Sequence, residues 1–358
     1  FQANDGTNGN ELWKSDGTAS GTVMVQDIRS GSSGGSPYGL TAVGNTLYFQ
    51  ANDGTNGHEL WKSDGTTSGT VMVKDIQSGS NSGSPSFLTA IGNTLYFQAN
   101  DDTNGHELWK SDGTTSGTVM VKDIYSGSSG GSPYGLTAVG NTLYFQANDG
   151  TNGNELWKSD GTASGTVMVK DIQSGSNSGS PSELTAVGNT LYFQANDDTN
   201  GHELWKSDGT ASGTVMVKDI RTGGSTIAQK SSSPTDLTVV GNTVFFRAND
   251  GSGEELWKSD GTASGTVMVK DICSGCSSHS VRDLTVMGNT LYFRADDGTN
   301  GYELWKSDGT ASGTVMVKDI YSGSSDGYPS VFTAVGNTLY FRAEDGTNGY
   351  ELWKYVHF

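Results

Sequence analysis

The chain lacks most of the features that would assign it to a common functional class. Among 358 residues there are 6 prolines, 5 histidines and 2 cysteines, and Lys and Arg number 21 against 39 Asp and Glu. The formal charge of −18 disfavours nucleic acid and anionic membrane as partners, because a field of that sign repels both. No apolar run approaches the ~20 residues of a membrane span. We therefore expect neither nucleic-acid binding nor membrane insertion.

The two cysteines, Cys273 and Cys276, stand as Cys-Ser-Gly-Cys. A pair at this spacing forms a redox pair, half of a zinc site or a local disulfide. No second pair and no helical context accompanies it. The spacing favours a local disulfide or two free thiols over zinc or redox chemistry.

All eight tryptophans belong to one repeated motif, Glu-Leu-Trp. Their spacing is 48 residues except for one interval of 52, and a fixed period replaces the usual estimate of domain number with a single repeat array over 1–358. The tryptophans are Trp13, Trp61, Trp109, Trp157, Trp205, Trp257, Trp305 and Trp353. A period near 48 is typical of four-stranded propeller blades.

Each repeat contains four strand-like segments. In the copy 88–124, a short apolar run ends at Gly92-Asn93, a hairpin signal, and an aromatic run follows it. Turns rich in Asn, Asp and Gly then separate Glu-Leu-Trp-Lys from Thr-Val-Met-Val. Apolar residues on both faces of the second and fourth segments predict sheets covered on both sides. The sequence predicts an all-β propeller of four-stranded antiparallel blades with the first strand innermost.

The number of blades depends on how the two ends of the chain are counted. The hairpin from Phe to Trp occurs eight times, which favours eight blades. The alternative is seven, with strand 21–28 joining the last sheet and hairpin 1–14 left over. Since Phe1 matches the middle of a repeat, we expect further residues, with room for an export signal, to precede it. One region, 221–283, departs from the repeat.

The motif Glu-Leu-Trp-Lys-Ser-Asp-Gly-Thr resembles the bacterial ELWxxDGT repeat family, and the match extends over nearly the whole chain. The resemblance implies an extracellular or cell-surface protein, and it carries no catalytic residues. Near-identical repeats also disfavour an enzyme, because a catalytic site needs distinct residues converging at one place.

Positions that vary among the repeats are candidates for ligand binding on a shared rim, with surface tolerance as the alternative. They precede Glu-Leu-Trp or follow Asp-Ile. The candidates are His58, His106, His202, Tyr302, Tyr350, Arg29, Tyr125 and Tyr321. The repeated tryptophans are either sugar-stacking platforms or packing between blades. The adjacent glutamates are expected to hold a loop amide or a lysine rather than act as acids.

The Asn-Asp-Gly turns contain hard oxygen ligands of the kind that Ca²⁺ takes, although turn conformation alone also favours these residues. The candidate metal ligands are Asp53, Asn56, Asp64, Asp149, Asn152 and Asp160. The functional hypothesis is a non-enzymatic, secreted or surface-exposed multivalent module that binds a glycan or a surface protein, since repeated weak sites gain avidity. The alternative is a structural scaffold of the envelope or matrix.

Overall fold

The computed structural model describes residues 1–274 and 281–357. Its strands form eight antiparallel sheets of three or four strands, which we number 1 to 8 along the chain. In every sheet the strands pair in the order in which they occur in the sequence. The predicted all-β class with four-stranded antiparallel propeller blades is confirmed, and the eight sheets fit eight blades.

Two compact units divide the chain, and the first is Phe1–Gly179 with sheets 1 to 4. Sheet 1 has three strands and sheets 2 to 4 have four. The strands are β1 (Gln2–Asn4), β2 (Asn10–Lys14) and β3 (Val23–Gln26) in sheet 1; β4 (Tyr38–Val43), β5 (Thr46–Asn52), β6 (His58–Ser63) and β7 (Val71–Lys74) in sheet 2; β8 (Ser86–Ile91), β9 (Thr94–Asn100), β10 (His106–Ser111) and β11 (Val119–Lys122) in sheet 3; and β12 (Tyr134–Val139), β13 (Thr142–Asn148), β14 (Asn154–Ser159) and β15 (Val167–Lys170) in sheet 4.

The second unit is Ser180–Phe358 and contains sheets 5 to 8 and one short helix. Sheet 8 has three strands. The elements are β16 (Ser182–Val187), β17 (Thr190–Asn196), β18 (His202–Ser207) and β19 (Val215–Lys218) in sheet 5; α1 (Ile227–Lys230); β20 (Thr235–Val240), β21 (Thr243–Asn249), β22 (Glu254–Ser259) and β23 (Val267–Lys270) in sheet 6; β24 (Val281–Met287), β25 (Thr290–Asp296), β26 (Tyr302–Ser307) and β27 (Val315–Lys318) in sheet 7; and β28 (Ser330–Val335), β29 (Thr338–Glu344) and β30 (Tyr350–Val356) in sheet 8.

In sheets 2 to 8 the first strands of successive sheets lie side by side within each unit, the arrangement expected of innermost strands. Within the first unit β4 lies beside β8 and β8 beside β12, and within the second β16, β20, β24 and β28 follow one another in the same way. A tight turn leads from each first strand to the second. In sheet 3 Ile91 pairs with Thr94, so that the turn is the two residues Gly92-Asn93, and Gly92 has a positive φ of 57°.

The second and third strands form the core of each sheet. Leu95 and Phe97 of β9 are fully buried, and Tyr96, on the opposite face, is 7% exposed. Both faces of this strand are therefore covered, as the sequence predicted. Trp109 of β10 is 5% exposed and packs in one cluster with Val73 of the preceding sheet. Because an aromatic side chain buries 150–250 Å², the repeated tryptophan is a large part of the contact between neighbouring sheets.

The fourth strands differ from expectation, because part of their apolar pattern is exposed. Val119 of β11 is 37% exposed, whereas Val121 is 7% exposed. Val71, Val167, Val215, Val267 and Val315 repeat the exposure of Val119. As the outermost strand has no further strand beyond it, its apolar pattern extends to positions that solvent reaches.

Lysines connect each sheet to the next. Lys62 Nζ of β6 donates to the carbonyl oxygen of Gly113 at 2.8 Å, and Lys74 Nζ of β7 donates to that of Thr118 at 2.8 Å. The Lys74 ammonium also lies 5.6 Å from the ring centroid of Trp109, within the range of a cation–π contact. Lys74 therefore binds the chain at the start of β11 and also covers Trp109 of β10, both in the next sheet.

The seven-blade alternative is wrong. It required strand 21–28 to join the last sheet, but β3 pairs with β2 in sheet 1, where Trp13 faces Met24. The first hairpin therefore has a sheet of its own.

In the part of the chain that the structure describes, no helix has the length and apolar character needed to span a membrane.

We predict that Trp109→Ala lowers the free energy of unfolding of the first unit by about 3–5 kcal/mol, the usual cost of removing a buried tryptophan. Trp13 has the same strand partner, methionine, but is only partly buried, so Trp13→Ala is the matched control with a smaller effect. Urea unfolding followed by circular dichroism measures both. Equal losses for the two variants would contradict the packing role assigned to Trp109.

Candidate functional site

The glutamate of each Glu-Leu-Trp motif is the most unusual polar group of the fold. Glu155 is fully buried in β14, and its carboxylate accepts three backbone N–H groups from the end of the same repeat. Gly179 N donates to Oε1 at 2.6 Å, Ile172 N to Oε2 at 2.8 Å and Gln173 N to Oε1 at 3.3 Å. A Cβ added to Gly179 would lie 2.6 Å from Oε2, which explains the glycine.

The same arrangement recurs with local changes. In sheet 5 a serine replaces that glycine, and Ser232 donates its backbone N–H and its hydroxyl to Glu203 at 2.9 and 2.6 Å. Glu351 of sheet 8, which has no fourth strand, is exposed. The glutamates of the sheets with four strands hold backbone amides, as expected, and Glu11 of sheet 1 does the same.

Burial changes the protonation of these carboxyls. Desolvation raises the pKa to about 7 from 4.5 in five of them, against the opposing effect of the backbone N–H donors. The five are Glu59, Glu107, Glu155, Glu203 and Glu303. Inside the sheets, these carboxyls accept hydrogen bonds from backbone N–H groups of their own repeat.

Three of the variable positions that follow Asp-Ile lie against the turn of the next repeat. Arg29 lies against Gly54 of such a turn, where burial and the guanidinium together lower the pKa of His58. In the same way the Tyr125 ring lies against Gly150, and the Tyr321 ring against Gly346. His106 and His202 are half-buried. Ligand binding at the variable positions stays a prediction.

Tyr302 and Tyr350 belong to a cluster of rings and guanidinium groups in the second unit. Tyr302 stacks on Tyr328 with ring centroids 5.8 Å apart, and the Arg294 guanidinium lies 5.5 Å from the Tyr302 centroid. Arg342 lies 3.7 Å from the Tyr350 ring. These arginines were not among the predicted site residues. Their replacement of the glutamine found at the same position in earlier repeats could have identified them.

The predicted metal ligands do not converge. Asp53 and Asn56 lie in the turn before β6, whereas Asp64 follows its other end. Asp53 Oδ1 accepts the backbone N–H groups of Thr55 and Asn56 at 2.8 Å each, and Oδ2 accepts Asn56 Nδ2 at 2.7 Å.

The second group of predicted ligands repeats this geometry. Asp149 and Asn152 bond each other at 2.8 Å before β14, and Asp160, beyond its far end, accepts the Thr162 hydroxyl at 2.7 Å. Within residues 1–274 and 281–357, no group of three or more His, Cys, Asp or Glu could hold a metal ion. Calcium binding stays a prediction.

The cysteine pair is described only in part. Cys273 is 5% exposed, at the end of the repeat that contains sheet 6. Cys276 and His279 lie outside the described residues. The predicted disulfide therefore stays a prediction.

Comparison with known proteins gives the fold and no family. No protein-family model and no curated protein sequence matches the chain. Among solved structures, a prolyl endopeptidase aligns over 90% of this chain and 50% of its own, with a TM-score of 0.50 and 10% identity. A puromycin hydrolase serine-to-alanine mutant complexed with PGG aligns over 89% and 52%, with a TM-score of 0.47 and 14% identity.

A third structure is the β-propeller domain of the Trilobed protease from Pyrococcus furiosus. It aligns over 89% of this chain and 94% of its own, with a TM-score of 0.43 and 11% identity. The chain thus spans about half the length of the first peptidases that it matches. At these low sequence identities, the structural likeness shows a similar fold and nothing more.

The functional hypothesis from the sequence is corrected. The prolyl endopeptidase alignment is a likeness to a peptidase and not to a lectin or a matrix scaffold. The geometry also decides between the two roles considered for the repeated tryptophans, sugar stacking and packing between blades, because in sheets 2 to 7 these side chains are only 5–9% exposed. They pack between neighbouring sheets, so their ring faces are not open to a sugar.

We predict that stability falls as pH rises from about 4.5 to about 7, because the folded chain, with raised glutamate pKa values, binds more protons than the unfolded chain in that window. Glu155→Gln removes one such proton and makes the fall shallower. Urea unfolding at a series of pH values measures the slope.

Asp160→Asn, in the same sheet, is the control. Hydrogen bonds from Thr162 lower the pKa of Asp160, so its contribution is present above the ordinary value of 3.8 and is lost as pH falls below it. This variant should change the profile only in acid. An unchanged slope between pH 4.5 and 7 for Glu155→Gln would show that Glu155 does not titrate there.

Proposed function

We propose that the chain is the non-catalytic propeller part of a larger protein of the peptidase class. The observation that supports this is the alignment of 90% of the chain with half of a prolyl endopeptidase. That structure is described as revealing a role of inter-domain dynamics in catalysis and specificity. By analogy, the propeller acts here by its position against a catalytic domain, where it limits which peptides reach the active site.

The chemistry of the sheets agrees with a non-catalytic role. The buried glutamates accept backbone N–H groups, and the turn aspartates accept the amides and hydroxyls of their own turns. The lysines at sheet boundaries donate to carbonyl oxygens of the next sheet. A catalytic group needs a free functional atom facing a substrate, whereas these groups are engaged in holding strands and turns.

The proposal predicts that the native polypeptide is larger than 37.5 kDa, the mass of this chain. Antibodies raised against the chain would isolate the native protein from its cells for intact-mass measurement. It should hydrolyse a prolyl peptide substrate and react with a fluorophosphonate probe, which labels activated serines. The chain alone should do neither.

Two outcomes would overturn the proposal. One is a native protein without hydrolytic activity and without probe labelling. The other is hydrolysis by the chain alone at the rate of the native protein, because the propeller would then itself be catalytic.

A further inference from the structure

The connector between sheets 5 and 6, residues 221–235, is longer than the others and borders a cavity of about 230 Å³. The cavity lies wholly within the second unit. A water molecule occupies roughly 30 Å³ of liquid, and pockets for drug-sized ligands begin near 300 Å³, so the space fits a smaller metabolite. Its lining residues are Thr199, Asn200, Asp219, Arg221, Gly223 and Lys230.

Helix α1 holds one of the two cations of this cavity in place. Thr226 caps the helix by accepting the Gln229 N–H, and Lys230 is its last residue. Lys230 Nζ donates to the carbonyl oxygen of Thr199 at 2.8 Å, which fixes the ammonium at the cavity wall. An ammonium has three donors, so two remain for a ligand.

Arg221 supplies the second cation. Two other arginines of this unit face carboxylates: Arg294 lies 3.0 Å from Asp283, and Arg247 lies 3.5 Å from Glu254. Among the described residues, neither Arg221 nor Lys230 forms an ion pair. Both line the same cavity, so their charges are available to an anionic group of a ligand.

Asp219 adds an acceptor of the opposite charge. Its Oδ1 is buried and has no hydrogen-bond partner. The equivalent oxygens of other repeats share this property, in Asp27, Asp75, Asp123, Asp171 and Asp319. The acceptor is therefore general to the fold, whereas the combination of an arginine with a lysine from α1 occurs in this connector.

We propose that this cavity binds a free α-amino acid as its zwitterion. The Arg221 guanidinium and the Lys230 ammonium hold the α-carboxylate, since charge-assisted hydrogen bonds of this kind are the strong ones. The α-ammonium donates to the carboxylate of Asp219 where that side chain lines the cavity. One ligand thereby meets both cations and the carboxylate. The site does not depend on the proposed peptidase function.

The test is isothermal titration calorimetry of the whole chain with three probes: L-alanine, N-acetyl-L-alanine and L-alaninamide. L-Alanine should bind with saturation. Each blocked probe should bind at least about tenfold more weakly, because it has lost one charged partner. If L-alanine does not saturate the chain up to about 10 mM, its affinity is weaker than that of even weak small-ligand sites, and the proposal is overturned.

Variants locate the site. Arg221→Gln and Lys230→Gln should each weaken L-alanine binding about tenfold or more, and Asp219→Asn should remove the preference for L-alanine over its N-acetyl derivative. Arg29→Gln is the matched control, because Arg29 also follows Asp-Ile but has no connector lysine beside it. It should bind as the unmodified chain does. Unchanged binding by a folded Arg221→Gln, checked by circular dichroism, would show that the proposal is wrong.

Discussion

A buried carboxylate that accepts several backbone N–H groups is the contact on which each blade depends. In sheet 4, Glu155 of the third strand binds the chain where the fourth strand ends, at Ile172, and again where the connector ends, at Gly179. These two points are the two ends of the connector, and one side chain fixes both. An unpaired backbone N–H in that interior would be costly, so the glutamate determines where the chain leaves one sheet and enters the next.

Contacts between neighbouring sheets follow from this fixed path. Because every connector leaves at the same place, Lys74 of one sheet meets the ring of Trp109 and the carbonyl oxygen of Thr118 in the next. Each repeat therefore covers the core of its neighbour. The strongest polar groups and the largest aromatic rings serve this packing, which leaves functional chemistry to places where the repeat changes, chiefly the connector with Arg221 and Lys230.

The sequence predicted the fold well because its signals are local. Strand alternation, the Gly92-Asn93 turn and the position of the innermost strand each depend on a few adjacent residues. The exposure of Val119 was missed, because an apolar residue in the sequence does not show whether a neighbouring sheet covers it. The meeting of Arg29 with His58 and of Lys230 with Thr199 depends on how loops of successive sheets approach each other, and no spacing in the sequence specifies it. The tryptophans were assigned to two roles, and only burial decided between them.

The most direct test of this account is a ¹³C NMR titration of the glutamate side-chain carboxyls. The account predicts a group of carboxyls with a pKa of about 7, which includes Glu59, Glu107, Glu155, Glu203 and Glu303. If every glutamate titrated near the ordinary value of 4.5, the carboxylates would not be desolvated inside the blades, and the central role given to them would be wrong.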